Sequence, residues 1–283
     1  MFRFAIFAVV LLGGCASQPP PAQPAKRVQA IEANNRGTAL FQRGDYAAAA
    51  AEFRRAVDIE RSIENEEGVA ANLINLSIAY QRAGERVAAR AAVAEILDNP
   101  LMRFSPARIG EAALRSAILL TEEREVDAAA KALERSRSLC AGRCPLTGKI
   151  DNVAAQLALL GGRHEEARAA AQRALSANRS RGDREEVANS LRLLGGAALA
   201  AGKAAEVEPL AHEALEIDKQ LAVPGKIFRD LILLGRAAKA RGNSDDAALL
   251  LGRALVVARA AQDASAIAEV QGLLAEAPAS SGR

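Results

Sequence analysis

Three cysteines, two histidines and four pairs of adjacent glutamates are the residues of this 283-residue chain whose types could carry chemistry. Cys140 and Cys144 stand four apart in "CAGRC", a separation that at a helix end brings two Cα atoms to about the distance a disulfide tolerates. A disulfide is favoured over free thiols. A redox-active pair, which would make the chain an envelope enzyme, usually has two intervening residues and here has three. A metal site has the least support, because the only other soft ligands, His164 and His212, lie far along the chain. The carboxylate pairs, Glu66-Glu67, Glu122-Glu123, Glu165-Glu166 and Glu185-Glu186, sit beside basic residues near expected helix starts, where solvation and the helix dipole account for them. There is no Gly-x-Ser-x-Gly elbow, no His-Glu-x-x-His pair and no phosphate-cradling glycine loop. The expectation is a non-enzyme with no cofactor and no bound metal.

The third cysteine belongs to a different argument. Phe4 to Leu12 is an apolar run too short to cross a bilayer of roughly 30 Å, and it follows Arg3, which fits a secretory signal. Leu12-Gly13-Gly14-Cys15 resembles the bacterial lipobox, and the resemblance implies that 1–14 is removed and Cys15 is acylated, with palmitate among the attached chains. Ala16 follows where an aspartate would imply inner-membrane retention, so the expected location is the outer membrane, lipid-anchored and facing the periplasm. Residues 15–29 then read as a tether. Pro19, Pro20, Pro21 and Pro24 exclude helix and sheet ladder and favour an extended spacer. An exported chain folds where thiols oxidise, which supports the Cys140–Cys144 disulfide.

These residues must be positioned by something, and composition says it is helical. Half of the chain is hydrophobic, much of that alanine, while aromatic residues are 3% and tryptophan is absent, a balance that favours helix over strand. The net charge of +3 is spread without basic runs or interleaved aromatics, which argues against nucleic acid as a partner.

Internal repetition supplies the architecture. "GTALFQRGDYAAAAAEFRRAVDI", Gly37 to Ile59, resembles a tetratricopeptide repeat. Gly44 has counterparts at Gly84, Arg124, Gly162, Gly202 and Gly242, at spacings of 40, 40, 38, 40 and 40. Glycine suits the residue just past a helix, which takes a left-handed conformation as the chain turns. Arg124 adopts it less readily. Small residues seven before each turn and five after it let paired helices cross closely. The resemblance implies an all-α, right-handed α-solenoid of about six helical hairpins near 30–63, 70–103, 110–143, 148–181, 188–221 and 228–261. A capping helix is expected at 263–276, closing a solenoid of 30–277, with a frayed tail at 278–283. Ser105-Pro106 reads as an N-cap with proline at the first helical position, and Pro209 is expected in about the first turn of its helix.

The resemblance further implies a concave groove lined by the first helix of each hairpin. Counting from the turns places Asn34, Thr38, Asn75, Arg115, Asn152, Gln156, Arg192, Arg229, Arg236 and Lys239 on that face as a partner-binding set. The family's dicarboxylate clamp is matched by Asn75 and Arg115 and missed at Asn34, Thr38 and Glu111, so that specificity does not transfer. The expected function is an outer-membrane scaffold for pilus-secretin, outer-membrane-protein or cell-wall machinery. Its expected partner is an envelope protein or an extended, acidic peptide segment, with membrane contact through the lipid alone; a purely structural spacer is the remaining alternative. The cations from Arg192 to Lys239 are expected to converge as the acidic partner's site.

Overall fold

The computed structural model describes residues 24–140 and 144–275. The expected signal peptide, Cys15, the tether up to Gln23 and the 278–283 tail lie outside the described residues. Among the described residues there are thirteen helices and no strand. They pair as α1 (Ala25–Gln42) with α2 (Tyr46–Ser62), α3 (Glu66–Arg82) with α4 (Arg86–Asp98), and α5 (Pro106–Glu122) with α6 (Val126–Leu139). Then come α7 (Thr147–Leu160) with α8 (His164–Arg181), α9 (Arg184–Ala200) with α10 (Ala204–Gln220), α11 (Pro224–Ala240) with α12 (Ser244–Ala260), and the final α13 (Ala264–Ala275). This is an α-solenoid, each helix packed on its neighbours in sequence.

The chain turns more often than the glycines announce. Gly44, at φ +84°, ends α1 in a Schellman motif: its N–H donates to Phe41 O and that of Asp45 to Leu40 O, both at 3.0 Å. The same pair of bonds closes α2 at Glu64, whose φ is +52°. Left-handed residues recur at 44, 64, 84, 124, 162, 182, 202, 222, 242 and 262, close to multiples of 20. The mechanical unit is thus one helix of about 17 residues plus a three-residue turn, and two units make the 40-residue repeat. Glu64, Arg124, Ala222 and Gln262 hold the left-handed conformation without being glycine, at a cost of roughly 1–2 kcal/mol each that tertiary packing must offset.

Local chemistry starts several helices, and at α5 it does so as expected. Ser105 Oγ accepts the N–H of Arg108 at 3.3 Å, with Pro106 at the first helical position. Asp45 and Asp183 accept from Ala48 and Glu186 in the same way. Three expectations shift. The first helix starts at Ala25, so residues 25–29 are helix rather than tether: Pro24 serves as N-cap, and Lys26, Arg27 and Gln29 are good helix formers behind it. Pro209 is the sixth residue of α10, not in its first turn, so the helix lacks the N–H that would otherwise point at Ala205 O. Glu122 and Glu123 stand at the end of α5 rather than at a start.

The core lies between two layers of helices as a row of apolar clusters, the largest at the two ends of the solenoid. Gly37, Ser77, Ala117, Ala155, Gly195 and Gly235 are all buried, and a Cβ at Gly37 would stand 2.8 Å from the Phe53 ring. Phe53, Leu73, Val93, Leu119, Leu191, Leu215, Leu231 and Leu251 fill the core behind these crossings. The odd-numbered helices from α3 to α11 touch one another along the solenoid and make its inner layer. That layer carries the groove.

Candidate partner-binding groove

Four inner helices, α5, α7, α9 and α11, enclose a cavity of about 290 Å³. Ile118, Val153, Leu159 and Leu193 give it an apolar lining, and Lys149, Gln156, Asn189 and Arg229 give it amides and cations. An apolar bed with a few convergent polar groups is what a bound segment needs for affinity and orientation. Of the ten residues expected on this face, Asn152, Gln156, Arg192 and Arg229 line the cavity. Gln156 and Arg229 are exposed there.

The other six are elsewhere. Asn75 Nδ2 donates to Asn34 Oδ1 at 3.1 Å and Thr38 Oγ1 donates to Asn34 O at 3.0 Å, so the α1–α3 amides partner each other. Arg236 lies 3.9 Å from Glu269 of α13, and Lys239 is exposed further along α11. Arg115 is 8% exposed. It donates from Nε to Ser77 Oγ and from Nη2 to Ser77 O, both at 3.1 Å, and from Nη2 also to Gln81 Oε1. Every one of these acceptors is neutral. Burial drives the Arg115 guanidinium down to about 10, against the charge of Glu122 and with the help of nearby Arg82.

Arg192 requires a correction. It was expected to offer its charge to a partner, but Nε donates to Asp230 Oδ1 at 2.7 Å, Nη2 to Asp218 Oδ2, and Nη1 to Asn189 Oδ1 at 3.0 Å. Both aspartates are completely buried. Arg192 is committed to holding α9, α10 and α11 together, because a buried carboxylate is costly unless it is paired and hydrogen-bonded. Asn152 is likewise committed: Nδ2 donates to Glu186 Oε2 at 2.8 Å, and Oδ1 accepts from Ser190 Oγ at 2.8 Å. Through Asn189, which donates to Glu186 at 3.1 Å, these bonds join α7, α9, α10 and α11 into one network beneath the cavity.

That network follows a register that counting turn glycines does not reveal. Four residues before each left-handed turn between hairpins stand Glu60, Asn178 and Asp218, and eight after it stand Asn72, Ser190 and Asp230; all six are buried. Asn178 donates to Ser190 Oγ at 3.1 Å, and Asp218 and Asp230 are linked through Arg192, which donates to both. The signal was present as polar residues recurring where an apolar stripe should continue. It was hidden because only one of the turns that index it, Gly182, is glycine.

Three cations missed by the turn count act on one carboxylate, and one of them, Lys149, lines the groove. Glu185, on α9, accepts from Lys226 Nζ of α11 at 2.7 Å. Burial would raise its carboxyl, but the Lys226 bond and the charges of Lys226, Lys149 and Arg82 hold it below the ordinary glutamate range. Arg82 ends α3 and Lys149 begins α7, so positive charge reaches one carboxylate from three different helices. Lys149 also pairs with Asp183 at 3.8 Å.

Cys140 and Cys144 are joined as a disulfide, with Cα atoms 5.2 Å apart, between α6 and α7. Among the described residues no group of three or more histidine, cysteine or acidic side chains could hold a metal ion, and no helix is long and apolar enough to cross a membrane.

No family model and no curated protein matches the sequence. Solved structures do match in shape. A signal-transduction ATPase with a tetratricopeptide repeat sensor from Pyrococcus horikoshii aligns at TM-score 0.63 and 14% identity, over 87% of this chain and 37% of that one. A Rap protein in complex with competence and sporulation factor aligns at 0.60 and 13%, covering 89% and 76% of the two chains. PilF from Pseudomonas aeruginosa aligns at 0.55 and 16%, over 88% of this chain and all of that one. At these identities the likeness is one of fold: the chain has the α-solenoid fold of tetratricopeptide-repeat proteins.

Proposed function

We propose that this protein is a non-catalytic scaffold of the cell envelope whose inner groove captures an extended, acidic segment of another envelope protein. The observation that carries this reading is the lining of the cavity, where Lys149, Gln156 and Arg229 stand around an apolar bed, with Lys226 bound to Glu185 of α9. Arg229 is exposed in the groove, and one turn of α5 before the lining residue Ile118 stands the buried Arg115, whose hydrogen-bond acceptors are all neutral. A ligand carboxylate supplies the missing negative charge through charge-assisted hydrogen bonds, the apolar lining takes an aliphatic side chain, and Gln156 bonds the ligand backbone. The Rap protein, similar in fold and holding competence and sporulation factor, supports reading such a solenoid as a carrier of a partner. Titrating a fluorescent, glutamate-rich extended peptide tests the groove. Arg82→Glu with Arg229→Glu should weaken binding by at least about tenfold and flatten its salt dependence while melting stays unchanged. Equal affinity in the double variant would remove the groove from the function.

The envelope assignment rests on the first fifteen residues. A signal run followed by Leu12-Gly13-Gly14-Cys15 supports acylation of Cys15 and an outer-membrane anchor that holds the solenoid in the periplasm, where pilus-secretin, outer-membrane-protein and cell-wall machinery offer partners. Cys15→Ser should abolish incorporation of radiolabelled fatty acid; undiminished labelling would refute the anchor.

A further inference from the structure

Asp218 closes α10, Asp230 lies in the second turn of α11, and both are 0% exposed. Between them they have four carboxylate oxygens. Arg192 of α9 satisfies two, Asp230 Oδ1 and Asp218 Oδ2. The other two, Asp218 Oδ1 and Asp230 Oδ2, are buried and have no donor from any other residue. Charge raises the same question. One guanidinium with two ionised carboxylates leaves a net negative charge where no water reaches, a state that costs several kcal/mol.

One proton resolves both difficulties. Shared between Asp218 Oδ1 and Asp230 Oδ2, it neutralises the excess charge and turns two orphaned acceptors into a hydrogen-bonded pair. We propose that Asp218 and Asp230 are a proton-sharing carboxyl pair that fastens the sixth hairpin to the fifth, so that docking of α11 to α13 tightens as pH falls through neutrality and loosens as it rises. The charged groups acting on Asp230 are Arg192 from α9 and Asp218 from α10. Burial pushes the Asp230 carboxyl up to about 7, the pull of Arg192 opposes it, and Asp218 adds to it. At the corresponding junctions the pair is Glu60 with Asn72, and Asn178 with Ser190, where no second carboxylate needs a proton. The device is therefore local to the junction of hairpins five and six, directly beneath the groove that Arg192 lines.

The sign of the effect follows from linkage. An aspartate whose folded value lies above its unfolded one keeps its proton in the native state after the unfolded chain has lost it. Its contribution is fully present below about pH 4 and declines until pH passes about 7, at on the order of tenfold in the folding equilibrium constant per pH unit. Asparagine mimics the protonated carboxyl, since its carbonyl still accepts from Arg192 and its amide donates to the remaining aspartate. Urea unfolding of the full chain from pH 5 to 8 should show this decline in the wild type. In Asp230→Asn and in Asp218→Asn the decline should be smaller by up to about tenfold per unit, and both variants should be more stable than wild type at pH 8. Carboxyl ¹³C shifts of the unmodified protein provide a readout that needs no substitution, and one of the two side chains should titrate near neutrality. The proposal is overturned if both variants keep the wild-type slope, or if both carboxyls titrate below pH 5.

Discussion

Arg115 on α5 and Arg192 on α9 are inner-layer arginines one pair of hairpins apart, and their surroundings are opposites. Arg115 is buried among a serine hydroxyl, a backbone carbonyl and a glutamine carbonyl. Arg192 is bonded to two aspartates that have no exposure at all. The first site has a cation hydrogen-bonded to no carboxylate, with Glu122 acting on it through charge alone; the second has a carboxylate more than its cation can neutralise. A buried charge is costly unless paired, so the rear half of the molecule uses its arginine as a fastener and supplements it with a proton. The front half leaves its arginine with no carboxylate in hydrogen-bond contact. Surface chemistry alone would treat the two as equivalent groove cations, whereas the packing separates structure from binding.

The sharpest way to break this contrast is to remove each cation while keeping its bulk. Arg192→Met strands two buried carboxylates and should cost about 3–5 kcal/mol at neutral pH in urea denaturation. A loss below about 1 kcal/mol would mean that Arg192 is not the fastener described. Arg115→Met removes a desolvated charge with no hydrogen-bonded carboxylate, so the loss of its three bonds to neutral acceptors is partly offset by relief of burial. Stability should change by no more than about 1–2 kcal/mol, while affinity for the acidic peptide falls about tenfold, read by fluorescence anisotropy. Similar stability losses in the two variants would erase the difference between the two halves, and an unchanged affinity in Arg115→Met would place the ligand beyond its reach.

Legibility along this chain follows from how many residues can perform a given task. Gly44, Gly84, Gly162, Gly202 and Gly242 announce their turns because glycine alone adopts positive φ freely. The intervening turns at Glu64, Ala222 and Gln262 use residues that avoid the same conformation in isolation, and nothing local marks them. The groove divides similarly. Gln156 and Arg229 were reachable from helical register, since facing solvent on an inner helix depends on spacing alone. Arg82, at the last turn of α3, was not, because its relation to Glu185 spans three hairpins and depends on how the solenoid curves.

Helix formation, the 40-residue period, the close crossings at Gly37 and its counterparts and the N-cap at Ser105 were determined by the sequence itself. Each is a short-range consequence of side-chain size, backbone freedom or a hydroxyl next to an N–H. Partnership was decided only by tertiary structure. Asp218, Asp230 and Arg192 are unremarkable as residue types and lie up to 38 positions apart. What Arg192 and Asp230 do depends on desolvation and on Coulomb interactions that act through space, and neither exists until three helices have closed around them.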